Sequence, residues 1–163
     1  MARWSCNVPT WTPVAVADTV NFTDSGYMAL QGGSSTQRIN LIEVFMGGQA
    51  GSSTPGIMLV ARDSTVGVTL SVGRFAALDP ATAALAAPPV VFTVATTKPQ
   101  RSATLSLLNL SFNAFGGLVR WVYAPGEEVG MLGNTASLGE LSLSAFTGGT
   151  PGLLGSHFIV EPF

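Results

Sequence analysis

The strongest hydrophobic pattern in the chain lies between residues 38 and 46, which read RINLIEVFM. Its apolar positions are Ile39, Leu41 and Phe45 on one side of a strand and Ile42, Val44 and Met46 on the other. No proline or glycine interrupts the run before Gly47 and Gly48. Successive side chains of a strand point to opposite faces, so this pattern predicts a central strand that is covered on both faces.

Shorter alternating segments follow along the rest of the chain, separated by Gly, Pro, Asn, Asp and Ser residues that favour turns. They predict strands at 14–22, 27–30, 57–61, 66–72, 90–96, 104–112, 118–124, 128–132, 138–146 and 157–160. Residues 62–65 are predicted to form a turn. In 104–112 the apolar period slips by one residue, which indicates a β-bulge. The segment 118–124 predicts a second central strand, apolar on both faces except at Arg120.

One short helix is predicted at residues 80–87. Asp79 stands at the N-cap position and Pro80 at the first helical position, and an alanine-rich run follows. Two prolines after residue 87 end it. With about 8–10 short strands and one minor helix, the pattern predicts an all-β sandwich or barrel.

Residues 1–13 carry Trp4 and Trp11 among prolines, and we interpret them as an extended N-terminal arm. Aromatic side chains on such a segment can anchor it to a neighbouring subunit. The alternative is that the arm folds back on the core of its own chain. The sequence leaves both open, and residues 14–163 are predicted to form a single domain.

Charge is the unusual feature of the composition, because only 10% of residues are charged against about 25% in a typical soluble domain. The few cations are scattered singly and the net charge is −2, which disfavours a nucleic-acid partner. No apolar run reaches the length of a membrane-spanning helix and no signal peptide is evident, so we expect no membrane partner. A surface with so few charges predicts cover by oligomerisation or assembly.

Motifs for catalysis or metal binding are absent from the sequence. The chain has one histidine, His157, and one cysteine, Cys6, which could form a nucleophilic dyad only if the chain ends meet. A histidine at the end of a strand more often lies at an edge or an interface. No zinc or calcium ligand spacing occurs. We therefore expect no enzyme activity, no cofactor and no metal.

Two charges lie inside otherwise apolar strands, at Glu43 and Arg120. Burying either of them without a partner would be costly. Three arrangements are open: they pair with each other, each pairs across a subunit boundary, or each lies where the sandwich opens to water.

Several of these segments together carry a resemblance to a known family. The strands QRINLIEVFMGG and GGLVRWVYAPGE, the Gly/Ser/Thr/Pro loops and the ending GTPGLLGSHFIVEPF resemble the small jelly-roll proteins that decorate tailed-bacteriophage capsids, the cement class. The resemblance covers the chain from about residue 14 onward. It implies an antiparallel jelly-roll β-sandwich and a homotrimer that binds the major capsid protein. The protein would be made in the host cytoplasm and lie on the capsid surface, and it would carry no catalytic residues.

The expected function is therefore stabilisation of a viral capsid. The alternative is a carbohydrate- or receptor-binding jelly-roll module of a phage head fibre or tail, in which Trp121 and Tyr123 share an exposed face. The same two side chains could instead belong to the core. A cupin-like enzyme is disfavoured by the lack of a histidine cluster. The predicted contact residues for the capsid or a second subunit are Trp4, Trp11, Glu43, Arg120, Trp121, Tyr123 and His157.

Overall fold

Two antiparallel sheets of six strands each make up the structure, a computed structural model that describes residues 2–133, 139–148 and 152–163. The strands are β1 Trp4–Trp11, β2 Tyr27–Gln31, β3 Arg38–Gly48, β4 Pro55–Thr65, β5 Val68–Val72, β6 Arg74–Ala77, β7 Val90–Thr97, β8 Gln100–Asn113, β9 Leu118–Val122, β10 Val129–Leu132, β11 Glu140–Gly148 and β12 Leu154–Pro162. The prediction of an all-β sandwich is confirmed.

The strand order is nested. The first sheet runs β6-β1-β12-β3, and β9 and β10 lie one after the other along the far edge of β3. The second sheet runs β5-β7-β2-β11-β4-β8. Thus β1 pairs with β12, β2 with β11, β3 with β9 and β10, and β4 with β8. The chain has the pairing of one long antiparallel hairpin, in which β1, β2, β3 and β4 lie alternately in the first and second sheets and their partners follow the same alternation.

The core lies between the sheets and is built from the inward positions of their strands. The second sheet contributes Met28, Leu30, Met58, Val60, Leu141 and Leu143, and the first contributes Ile39, Leu41, Val44, Met46, Phe158 and Val160. Removing these apolar surfaces from water supplies the main favourable free energy of folding.

The interior position of β3 agrees with the sequence pattern, but the cover on both faces does not. The pairing of β3 with β12 shifts by one residue at Ile42, which forms a bulge. Leu41 before the bulge and Val44 after it both face the core, whereas Glu43 and Phe45 face outward. The extra residue at the bulge reverses the alternation of inward and outward side chains. A strand with only one face against the core therefore has apolar residues at both odd and even positions, as a strand buried on both faces would.

The N-terminal residues are not a separate arm. They form β1, which lies inside the first sheet between β12 and β6. Trp4 and Trp11 are only 3% and 2% exposed, and the Trp11 indole N–H donates to Ser156 Oγ at 3.0 Å. The structure therefore shows the second alternative, packing on the chain's own core. Pro9 is accommodated because the pairing with β12 shifts between Val8 and Trp11.

The predicted helix at 80–87 is wrong, since these residues form a turn at 80–81 followed by irregular backbone. Asp79 does cap a local turn, as its predicted N-cap position implies. Its Oδ1 accepts a hydrogen bond from the Ala81 N–H at 2.9 Å, and its carbonyl accepts one from the Thr82 N–H at 3.0 Å. A run this short between prolines gains too few hydrogen bonds to offset the cost of helix nucleation.

Other element boundaries also differ from the predictions. Residues 14–22 form no strand apart from an Asn21–Gln100 bridge, and the predicted turn at 62–65 lies within β4. The predicted bulge in β8 is confirmed, because β4 pairs with residues on either side of Leu107 and leaves that residue out. Residues 12–26, which we call the cover segment, pack on the outer face of the second sheet through Val16 and Phe22.

Candidate interaction surface

The outer face of the first sheet brings together three of the residues predicted from the sequence. Phe45, on β3, pairs with His157 on β12 and with Arg120 on β9. Glu43 lies two residues along β3 on the same outward side. We call Glu43, Phe45, Arg120 and His157 the outer cluster. Phe45 was not among the predicted contact residues, because its outward direction depends on the bulge at Ile42.

Two close pairings organise the outer cluster. Arg120 Nε and Nη2 donate to the two carboxylate oxygens of Glu43 at 2.7 and 2.9 Å. The rings of Phe45 and His157 stack with centroids 4.7 Å apart and planes 2° from parallel. Of the three arrangements that the sequence left open for Glu43 and Arg120, the structure shows pairing within one chain.

The outer cluster carries no net charge at neutral pH. The hydrogen bond from Arg120 holds the pKa of Glu43 below its ordinary value, and the same bond raises the pKa of Arg120. Burial is the main cause that lowers the pKa of His157; the Glu43 charge raises it and the Arg120 charge lowers it, so these two partly cancel. Glu43 is therefore ionised and paired, and His157 is neutral.

Large apolar side chains are exposed beside the outer cluster. Phe115, Leu118, Trp121 and Val122, which we call the β9 surface, are 56%, 65%, 43% and 53% exposed. Leu118 and Val122 share the outward side of β9 with Arg120, whereas Trp121 pairs with the core residue Val44 and lies on the other side of the strand. Among the described strands β9 pairs with β3 alone, so its other edge is free. The expectation of a second central strand at 118–124 is therefore wrong: β9 is an edge strand, and three of its apolar residues, Leu118, Trp121 and Val122, are exposed.

Trp121 and Tyr123 lie on one side of the chain as predicted, at the open edge between the sheets. Their rings make an edge-to-face contact with centroids 6.5 Å apart. Tyr123 packs against the core, and burial raises its pKa to about 12. Trp121 is close to half exposed. The pair is thus partly core and partly surface.

A shallow depression of about 510 Å³ adjoins both the outer cluster and the β9 surface. Its lining includes Leu118, His157 and the glycines Gly47, Gly117 and Gly155. A Cβ at Gly117 would clash with the Asn113 carbonyl oxygen, and one at Gly155 would lie 3.0 Å from the Pro9 carbonyl oxygen, so these two glycines serve close approaches within the chain. The depression adds a concave shape to this part of the surface.

The Cys6–His157 dyad does not form. The β1–β12 register pairs Cys6 with Phe158, and both of these side chains face the core. His157 points to the opposite side of the same sheet. Burial raises the pKa of the Cys6 thiol to about 12, so the thiol stays protonated at neutral pH.

A buried arginine that the sequence analysis did not select fixes the cover segment. Arg101, at the start of β8, is almost fully buried and donates to Ser144 Oγ at 2.6 Å and to the Val16 carbonyl at 2.5 Å. Its Nε also forms a short ion pair with Asp18. Two of these three partners belong to the cover segment, so one guanidinium joins that segment to the second sheet.

A pair of carboxyl groups, Asp63 and Glu140, is buried on the same outer face of the second sheet. Ser142 donates to Asp63 Oδ1 at 2.6 Å, and the Gly67 N–H donates to both oxygens of Glu140 at 3.2 and 3.0 Å. Burial, with the neighbouring Glu140 charge, raises the pKa of Asp63 well above its ordinary value. A proton retained by this pair is therefore assigned to Asp63. Solvent does not reach either group.

In Asp63→Asn the free energy of unfolding is expected to decrease less with rising pH than it does in the wild type. Because the folded-state pKa of Asp63 is raised, the stability linked to its proton is present at low pH and is lost as pH rises through that pKa. Each unit of pKa difference corresponds to about 1.4 kcal/mol. Urea unfolding at pH 5 and pH 8 should show a larger loss of stability for the wild type than for Asp63→Asn. Equal losses would contradict the protonated assignment.

Comparisons with known proteins add no family to these observations. Among the described residues no helix has the length and apolar character needed to cross a membrane. Comparison of the chain with protein-family models, with curated proteins and with solved structures found no match.

Proposed function

We propose that this protein is an oligomeric structural protein of a virion, a trimer that binds the outer surface of a capsid and stabilises the shell. The observation that carries the proposal is the β9 surface, a group of exposed apolar side chains on both sides of a strand with a free edge, in a chain with few charges. Large exposed apolar patches in soluble proteins mark sites of association. The resemblance to capsid decoration proteins supplies the virion context.

The fold within the sandwich class is proposed to be a jelly roll. A jelly roll is an antiparallel hairpin rolled into two packed sheets with Greek-key connections. The nested pairing of β1 with β12, β2 with β11, β3 with β9 and β10, and β4 with β8 supports it. On this view β5, β6 and β7 are an addition that widens both sheets at one side.

The composition of the β9 surface suits contact between subunits. Apolar and aromatic side chains occupy the centre, as in the buried part of protein interfaces. The adjacent Arg120 and Glu43 neutralise each other within the chain, so covering them leaves no unpaired charge. We therefore assign the β9 surface to the trimer contact. The capsid is contacted elsewhere, and not through the first thirteen residues, whose tryptophans are in the core.

Capsid stabilisation would follow from mass action. A protein that binds only the assembled shell lowers the free energy of that state and leaves separate shell subunits unaffected. No chemical step is required. Co-sedimentation of the purified protein with capsids that lack it tests this part of the proposal, and failure to co-sediment at micromolar concentration would remove the capsid role.

Leu118→Lys is expected to dissociate the oligomer. Light scattering should give about 50 kDa for the wild type, as a trimer of the 16.8 kDa chain, and a monomer mass for the variant. The dissociation constant should rise by about 100-fold or more, because an unpaired charge buried in an interface costs several kcal/mol. Since Leu118 is exposed in the single chain, the fold should survive.

The matched control is Val72→Lys, which places the same charge at an exposed apolar position of β5 in the other sheet. It should leave the native mass unchanged. A wild-type monomer, or equal dissociation by both variants, would remove the β9 surface as the subunit contact.

A carbohydrate-binding module is the second candidate, favoured by the half-exposed Trp121 ring beside Tyr123. Aromatic side chains with one exposed side can stack on sugars while a polar group beside them gives orientation. A glycan array distinguishes the two proposals: specific binding that is lost in folded Trp121→Ala would support this function, and no binding would leave the structural one.

A further inference from the structure

A second feature lies at one end of the sandwich, where two arginines from different sheets meet. Arg38 begins β3 in the first sheet, and Arg62 lies on β4 in the second. Together with Gly130, Met131 and Leu132 of β10, they line a cavity of about 200 Å³. None of these residues belongs to the outer cluster or to the β9 surface.

The fold directs both guanidinium groups to Gly130. Arg62 follows Met58 and Val60 on the inward side of β4 and donates from Nη2 to the Gly130 carbonyl at 2.7 Å, across the gap between the sheets. Arg38 lies over the other side of that glycine: a Cβ at Gly130 would be 2.5 Å from its Nε and Nη2. A side chain at position 130 would therefore displace Arg38.

Each arginine is also held by a contact within the chain. Arg38 Nε donates to Asn40 Oδ1 at 3.2 Å, and its guanidinium lies 5.7 Å from the centroid of the Phe163 ring. Arg62 is half-buried and tied to the backbone of β10. The two cationic groups are thus positioned before any ligand arrives, which limits the entropy lost on binding.

The electrostatics of the cavity are those of two like charges. Burial lowers the pKa of Arg62, and the positive charge of Arg38 lowers it further. Arg38 belongs to none of the four ion pairs found among the described residues. An anion bound in the cavity that both residues line would offset these positive charges.

We propose that the cavity lined by Arg38 and Arg62 is a binding site for a small oxyanion, a carboxylate or a phosphate group. Guanidinium groups recognise either anion through charge-assisted hydrogen bonds, and residues of this type from both sheets line the one cavity. Its volume of about 200 Å³ suits a single anionic group. This site does not depend on the proposed capsid role or on the oligomeric state.

The test is titration of the wild-type protein with inorganic phosphate and, separately, with acetate, at an ionic strength held constant with sodium chloride. The readout is the backbone amide NMR signal of Gly130, with heat of binding as a second measurement. We expect saturable shifts at Gly130 and its neighbours with at least one of the two anions. Saturation by phosphate alone would indicate a phosphate ligand, and saturation by acetate alone would indicate a carboxylate from a protein partner.

Arg38→Gln should weaken the binding at least tenfold, since it removes one of the two charges. Arg38 is exposed, so the variant should keep the wild-type unfolding temperature. The matched control is Arg74→Gln, which removes an exposed arginine on β6 far from this cavity. No saturable effect of either anion, or equal weakening by the two variants, would overturn the proposal, the latter because it would show only general attraction to a positive surface.

Discussion

Arg101→Met is expected to lower the free energy of unfolding by about 3 kcal/mol. Removing one member of a buried ion pair typically costs about 3–5 kcal/mol, because the remaining group keeps its charge but loses its oppositely charged partner and the hydrogen bonds to it. The lower end applies here because 24% of the Asp18 side chain is exposed to solvent. The Val16 carbonyl also loses its donor, so the cover segment should loosen before the sandwich unfolds.

Urea unfolding measures the total loss, and amide hydrogen exchange locates it. The Val16 and Phe22 amides donate to the Ala145 and Pro99 carbonyls, and both should exchange faster in Arg101→Met than the amides of β3 do. Arg74→Met, at an exposed site, should change stability by no more than about 0.5 kcal/mol. Uniform acceleration of exchange over both sheets would show that Arg101 does not act through the cover segment.

Trp11→Ala is expected to be equally damaging, with a loss of about 3–5 kcal/mol. The change empties a large volume in the core and leaves Ser156 Oγ without the indole N–H that it accepts. For a domain of this size each kcal/mol corresponds to a shift of about 2–4 °C in the unfolding temperature. Thermal unfolding followed by circular dichroism should therefore show a decrease of roughly 6–20 °C.

The result for Trp11→Ala also distinguishes a core strand β1 from an N-terminal arm that docks on a neighbouring subunit. Trp121→Ala is the matched control, because it removes the same side chain from a site that is close to half exposed and should cost much less. If residues 1–13 were an arm that docks on a neighbour, Trp11→Ala would leave the unfolding temperature unchanged and weaken only association. That result would contradict the position of β1 inside the first sheet.

The fold class could be predicted from the sequence because alternation and turn residues recur along most of the chain. The position of β1 could also have been found: Trp4, Cys6 and Val8 alternate with polar Ser5 and Asn7. Pro9 obscured this pattern, since a proline normally argues against assigning a segment to the interior of a sheet. Here the proline lies at a shift in strand register, and such a shift cannot be recognised from amino-acid composition.

The bulge at Ile42 limited the prediction of the surface in the same way. Without it, Phe45 would share a face with Leu41 and lie in the core. Glu43 and Arg120 could be selected because a charge in an apolar strand needs a partner, but their pairing depends on the β3–β9 register. Strand register is set by tertiary packing as much as by local sequence.

The buried polar groups of the second sheet were beyond sequence analysis for a further reason. Asp18 lies 83 residues from Arg101, and Ser142 lies 79 from Asp63. Nothing local marks Asp63 as buried, because Asp63 and Ser64 both favour a turn. Its partner Ser142 is brought close by the pairing of β4 with β11, which no local pattern indicates.

The nested pairing of the strands has a consequence for the order in which the chain can fold. β12 lies between β1 and β3, so the first sheet stays divided into two parts until the ribosome has released β12. Hydrogen bonds to β1 must then close a loop that includes nearly the whole domain, an entropically costly step that is typical of slow folding. A nascent chain can pair β2 with β7 and β4 with β8 early, but β11 and then β12 must join before the two sheets are complete and the hydrophobic interior is covered.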